Sequence, residues 1–231
     1  MGDALSLDHE TVAAQTAVVV ADPWLARRRH GWGASEVPAL LLAYDHRDDE
    51  ARTARRYHLE DAEVTRRGNV PRIVARKAGL LASVRLSRAM SEGARREREL
   101  VETWARECGF DGVTMADAMP REFLPLRDDE CPRLTATPDA WCRGPSDELI
   151  AVEAKCTFDH PSECAWYWRA QTQAQMACMS AAAAVLVCGP GWVRGEDTRP
   201  VSWLIERDER EIARIRDVCV RAWADVERVR Q

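Results

Sequence analysis

The sequence is almost without lysine. Of its 33 basic residues, only Lys77 and Lys155 are lysine and the other 31 are arginine. Glutamine is nearly as scarce, with five in all, yet three fall at Gln171, Gln173 and Gln175. No apolar run approaches the roughly 18–20 residues that a membrane span needs, so no membrane partner is predicted. The eight cysteines form no CxxC pair, which argues against a zinc ribbon. Nothing at the amino terminus looks secretory, so free thiols and a cytoplasmic location are expected. Repeats, low-complexity tracts and linkers are missing too, and 231 residues suit one well-buried domain over 1–231.

A net charge of −5 does not advertise a polyanion binder. The charge is uneven, however. Trp24 to Arg98 carries 17 basic against 10 acidic residues, or +7, which leaves −12 for the rest. Solvated helix faces would give such a stretch, and so would a surface that meets a polyanion.

Local pattern predicts helices first and strands later. A mixed lead-in covers residues 1–21. Asp22-Pro23-Trp24 reads as a helix start, with a capping Asp before Pro at the first helical position. After a Gly-Trp-Gly break, Ser35 is expected to cap a helix over Glu36 to Ala43. Residues 45–69 are highly charged and poorly periodic. Short and long helices follow over Pro71 to Ala78 and Ser83 to Cys108, the second with a break near Gly93. Two strands, Arg133 to Trp141 and Leu149 to Thr157, flank a polar turn. A helix over 163–180, strands at Ala183 to Cys188 and Val201 to Arg207, and a final helix capped by Asp208 complete an α/β core.

Chemistry concentrates in two of these strands. Pro138-Asp139 lies on one, and Glu153-Ala154-Lys155 on the next. Side chains alternate along a strand, so Glu153 and Lys155 share a face. Two carboxylates at one point repel unless a cation lies between them, and Mg²⁺ takes a few hard oxygens and completes its shell with water and phosphate. A nearby lysine can hold water and offset phosphate charge. Read alone, the pattern also fits a strand-end lysine reaching solvent. Composition sharpens it: a chain that writes nearly every cation as arginine keeps lysine where a compact, tunable amine is needed. Gln171 and Gln175 share a helix face with Trp168.

Short motifs in one order then resemble the lambda exonuclease and YqaJ viral-recombinase family of PD-(D/E)xK nucleases. They are Trp24, Arg28 and Gly33-Ala34-Ser35-Glu36-Val37; Gly93, Glu97 and Gly109; Ala136-Thr137-Pro138-Asp139; Val152-Glu153-Ala154-Lys155-Cys156; Gln171-Thr172-Gln173 with Met176; and Ile205-Glu206-Arg207-Asp208-Glu209. Departures lie in a longer turn between Asp139 and Glu153, a shorter segment from Lys155 to Gln171, and Ala140 where glycine is usual.

The resemblance implies a restriction-endonuclease-like core, a mixed central sheet flanked by helices, with a helical amino-terminal flank. It implies Mg²⁺, with Mn²⁺ able to substitute, held by Asp139, Glu153, the Ala154 carbonyl and Glu97. Lys155 and Gln171 would place and activate water. Arg28 and Ser35 would bind a 5′-terminal phosphate, although read alone they fit a surface arginine and a helix cap. The implied activity is 5′-to-3′ digestion of linear double-stranded DNA ends to 5′-mononucleotides. The 3′ tail left behind would serve a single-strand annealing protein in phage-type recombination. A closed homo-oligomer, first a ring trimer, and a phage or prophage origin go with it. An iron–sulfur cluster is not expected, because only Cys219 lies beyond Cys188 and no cysteine triplet is present there. The alternatives are an endonuclease on the same fold and a DNA-end-binding scaffold that does not cut.

The lysine argument makes its own prediction. Lys155→Arg keeps the charge and loses the compact amine, so digestion of linear duplex DNA should fall to background. A fully active Lys155→Arg protein would mean that charge alone matters there.

Overall fold

The computed structural model describes residues 28–45, 70–81, 88–110, 112–119, 124–157, 161–190 and 199–231. The lead-in, the helix start at Asp22-Pro23-Trp24, nearly all of the charged stretch 45–69 and the expected first turn of the long helix at Ser83 lie outside these residues.

Trp32–Gly33 forms β1, Ala34–Glu36 a single 3₁₀ turn, and Val37–Tyr44 the helix α1. Val37, Leu40, Leu41 and Tyr44 of α1 are all buried, so this helix is enclosed by the fold. Helix α2, Val70–Lys77, runs out two residues before Gly79, whose φ is +87°. Helix α3, Arg88–Cys108, stops at Gly109, φ +67°. Glycine adopts these left-handed angles at no steric cost, so both helices end where the sequence places a glycine. α3 continues through Gly93 instead of breaking there. Glu92 pairs across it with Arg95 and Arg96, and such i,i+3 and i,i+4 pairs, at about 0.2–0.5 kcal/mol each, offset part of the helix cost of one glycine, about 1 kcal/mol.

The strand expected over Arg133 to Trp141 is two strands in two sheets. Leu134–Ala136 (β4) lies between β1 and Leu126–Arg127 (β3), parallel to the first and antiparallel to the second. Ala140–Arg143 (β5) belongs to a five-stranded sheet. The break falls at Thr137-Pro138-Asp139, where Pro138 offers no N–H to continue a ladder. The larger sheet has the order β2-β5-β6-β7-β8, with β2 at Thr114–Met115, β6 at Leu149–Thr157, β7 at Ala183–Pro190 and β8 at Val201–Glu206. Only β6 and β7 are parallel; the other neighbours are antiparallel. Between β6 and β7 comes helix α4, Trp166–Met179, the crossover that parallel strands require.

Two layers cover this sheet. Leu100, Val101 and Trp104 of α3 pack on Ile150, Val152, Ala154, Val185 and Val187. On the opposite face, Met176 of α4 meets Ala151, Ala184 and Leu186. The far side of α4, through Ala170, Ala174 and Ala177, joins a second core with α1, β4 and the last helix, α5 (Glu209–Arg230). Asp208 caps α5 as expected, accepting N–H bonds from Arg210 (2.9 Å) and Glu211 (3.2 Å).

Lys77 fixes the corner before α1. It is 6% exposed, and its ammonium donates to the carbonyls of Arg28 (2.8 Å) and Gly31 (2.7 Å) while pairing with Glu36 at 2.9 Å. All three N–H groups are used, a pattern that a planar guanidinium cannot reproduce. Glu36 in turn takes the Gly33 N–H at 2.7 Å. Gly31 has no room for a side chain, since a Cβ would stand 2.8 Å from the Arg133 carbonyl oxygen.

Lys77→Met should therefore lower stability by about 2–3 kcal/mol, because it takes the ammonium away from the half-buried Glu36 carboxylate and leaves the Arg28 and Gly31 carbonyls without their donor. Urea denaturation reads the loss. Lys77→Arg should not restore wild-type stability, and if it did, the three-donor geometry would have no special value.

Candidate active site

The site forms where β6 outruns β5. Along β6, Val152 and Ala154 face α3, so Ala151, Glu153 and Lys155 face α4. The β5–β6 ladder ends with Ala140 opposite Val152. One step further brings Asp139 opposite Glu153. There the Asp139 side chain replaces the missing strand partner: its Oδ2 accepts the Ala154 N–H at 2.8 Å. In a strand a residue's N–H and C=O leave the same edge, so the Ala154 carbonyl lies on the edge that Asp139 occupies.

Glu153 is a buried carboxylate, 3% exposed. Lys155 Nζ and Gln171 Nε2 donate to its Oε1, and Gln175 Nε2 donates to Oε2. A charged acceptor in a dry setting gains most from such bonds. Gln175 is fully buried. It was legible as one of three clustered glutamines on the Gln171 face, four residues on, but sequence reasoning did not place it in the site. Gln173 points elsewhere, donating to the Glu206 carbonyl (2.8 Å) and accepting the Asp208 N–H (3.0 Å) to hold the corner between β8 and α5.

The electrostatics are those of crowded acids. Burial pushes the Asp139 carboxyl well above the usual carboxylate range, and the Glu153 charge pushes it further. Glu97, half-buried on α3, is raised by burial and by Glu153, with Lys155 opposing. Burial alone would lower the Lys155 ammonium, but the charges of Glu153, Asp139 and Glu97 outweigh it and hold its pKa above the ordinary lysine value. Glu97 acts on the cluster through its charge, from α3. The start of α3 is tied to the end of β6, where Cys156 Sγ meets the Gly93 carbonyl at 3.8 Å.

These donors fit a divalent cation of the Mg²⁺ type. Asp139 and Glu153 are hard oxygen donors held side by side at a cost that a cation would remove. Among the described residues no group of three or more His, Cys, Asp or Glu side chains is placed to hold a metal by itself. Two carboxylates suit an ion that completes its shell with other oxygens, as Mg²⁺ does.

Arg28 and Ser35 do come together, with Arg28 Nη2 donating to Ser35 Oγ at 3.3 Å. Ser35 is not a helix cap, however. It lies inside the 3₁₀ turn, Glu36 occupies the cap position of α1, and no side chain caps that helix. The Lys77–Glu36 pair and the Glu36–Gly33 bond set the chain's path here, which frees the Ser35 hydroxyl from capping. Ser35 and Lys155 line one cavity of about 290 Å³ with Gln171, so the two halves of the predicted site share a space.

No protein-family model matches the chain, and no curated protein matches its sequence. Solved structures do match its fold. An alkaline exonuclease (LHK-Exo) from Laribacter hongkongensis aligns with a TM-score of 0.60 at 19% identity, over 88% of this chain and 91% of that one. The same enzyme in complex with dAMP gives 0.59 at 18% identity, over 89% and 94%. A phage-related exonuclease from Haemophilus somnus 129PT gives 0.59 at 13% identity, over 86% and 94%. The chain has the fold of these exonucleases along nearly its whole length.

Crowded acids make a stability prediction. Asp139→Asn keeps an acceptor for the Ala154 N–H and removes one charge, so in chelator it should melt higher than wild type. Each kcal/mol of relief is worth about 2–4 °C at this size. Asp139 has a folded pKa above its unfolded one, so the native state binds the extra proton and wild-type stability rises as pH falls from neutral. The gap between the two proteins should narrow over that range. A lower melting point for Asp139→Asn at neutral pH in chelator would contradict this account.

Proposed function

We propose that the chain is a Mg²⁺-dependent deoxyribonuclease of the PD-(D/E)xK type, an exonuclease that digests linear double-stranded DNA from 5′ ends. The observation that carries the reading is the convergence of Asp139, Glu153 and Lys155 at the overrun of β6, with Gln171 and Gln175 bound to the buried Glu153. The exonuclease folds of its structural neighbours support it.

Asp139, Glu153 and the Ala154 carbonyl are the proposed metal donors, with Glu97 adding negative charge from α3. The bound ion would supply Lewis-acid chemistry at the scissile phosphodiester, and Mn²⁺ suits the same donors. Gln171 and Gln175 hold Glu153 in one orientation. Lys155, kept protonated by the acids around it, offers N–H donors to a water or a phosphate oxygen and offsets charge that builds on the phosphate. Water adds to phosphorus and the bond to the 3′ oxygen breaks. The released unit keeps its 5′ phosphate, and the shortened strand again begins with one.

Arg28 and Ser35 are the proposed receptor for that terminal phosphate, since an arginine fork and a hydroxyl suit its oxygens. The 3′ tails would feed an annealing protein. The ring trimer, proposed by resemblance, would let the chain keep its substrate by topology. A scaffold that only binds ends would not need Lys155 and both glutamines gathered on one carboxylate.

Digestion of linear duplex, with and without a 5′ phosphate, in Mg²⁺ and in chelator, tests the reading. Mg²⁺-dependent release of 5′-mononucleotides is expected, with Glu153→Ala inactive while folded. Arg28→Ala and Ser35→Ala should slow phosphorylated ends much more than hydroxyl ends, because a terminal phosphate carries about two negative charges. Equal slowing on both ends would leave the pair without a role in polarity. Binding without cutting in every divalent ion would favour the scaffold.

A further inference from the structure

The shared cavity has a second kind of wall. Beyond Ser35 and Lys155 it is lined by Pro38 and Ala39 from the start of α1 and by Tyr167 and Trp168 from the first turn of α4. Neither phosphate binding nor metal ligation calls for two aromatic rings and two small apolar groups. Trp168 is half-buried: it packs against the core formed by Ala151, Met176 and Leu186, and it also borders the cavity. Tyr167 stands edgewise to it, ring centroids 5.1 Å apart at 65°. An aromatic ring braced from behind is the platform on which nucleobases stack, and it serves every base alike.

Size and polarity agree. About 290 Å³ lies at the small end of ligand sites, which run from roughly 300 to 1,000 Å³, and suits one nucleoside unit, not a duplex. The polar part of the lining includes Ser35, bonded to Arg28, and Lys155, paired with Glu153. The 5′-phosphorylated terminal nucleotide of a strand brings its own phosphate, the phosphodiester to the next unit, and an apolar, π-faced base carried on the sugar. We infer that this cavity holds the terminal nucleotide of the strand, with its base stacked on Trp168 and enclosed by Tyr167, Pro38 and Ala39. The inference rests on the nuclease reading for its substrate and adds a base-binding subsite. The end of the duplex must then open by one pair before cleavage, since a paired base cannot lie against Trp168.

The test compares two 5′-phosphorylated duplexes that differ only in the terminal nucleotide, natural or abasic (tetrahydrofuran). An abasic end opens more easily, so end-melting alone would favour it. The cavity instead predicts slower release of the abasic unit by wild type, by roughly fivefold or more if stacking has its usual strength. Trp168→Leu, which fills the packed side without a π face, should lose that preference, and Trp168→Phe should keep most of it. Equal wild-type rates on the two ends would overturn the subsite, and so would a preference that survives in Trp168→Leu. If wild type cuts neither duplex, the nuclease reading fails, and calorimetric titration then judges the cavity by itself. There, deoxyadenosine 5′-monophosphate should bind at least about fivefold more tightly than deoxyribose 5-phosphate, and only while residue 168 is aromatic. Equal affinities would sink the subsite in that case too.

Discussion

A carboxylate inside a protein is costly unless every charge on it is met. Glu153 is that constraint here, and much of the molecule is arranged around it. It lies on a strand between two sheet neighbours, with α3 behind and α4 in front. Three donors meet it, one from its own strand and two from α4. The helix therefore has to sit at one height and one rotation over the sheet. The small residues on the other side of α4 allow this, since Ala170, Ala174 and Ala177 let α1, β4 and α5 approach closely. The apolar packing of the second core and the polar satisfaction of the site are thus two faces of one helix.

Much of this was legible beforehand, for reasons that can be named. The residues of Glu153-Ala154-Lys155 alternate, so their faces follow from strand geometry alone. Asp208 caps α5 because capping is local. Other features depend on tertiary partners and were not legible. The split of β4 from β5 needed knowledge of which neighbour each half would find. Ser35 reads as a cap from its own residue type, yet Glu36 and the distant Lys77 decide the path of the chain there. Gln175 was visible as part of a cluster, but only the fold shows that it and Gln171 reach the same carboxylate while Gln173 holds a corner.

The two lysines illustrate one rule twice. Lys155 sits among acids and Lys77 among carbonyls, one in a site and one in a joint. Lys77 occupies a spot where a small tetrahedral cation satisfies three acceptors at once, which a flat guanidinium cannot do, and Lys155 one where a compact ammonium reaches a buried carboxylate. Scarcity in the composition marked positions of geometric demand without distinguishing chemistry from architecture.

The link at Thr137-Pro138-Asp139 joins two sheets that belong to two different cores. Asp139 reaches the Ala154 N–H only when β4 is seated in the small sheet and β5 in the large one. A half-formed chain has nowhere to hold that carboxylate. Such a joint acts as a safety catch: the carboxylate pair of Asp139 and Glu153 is assembled only where both sheets have closed around it.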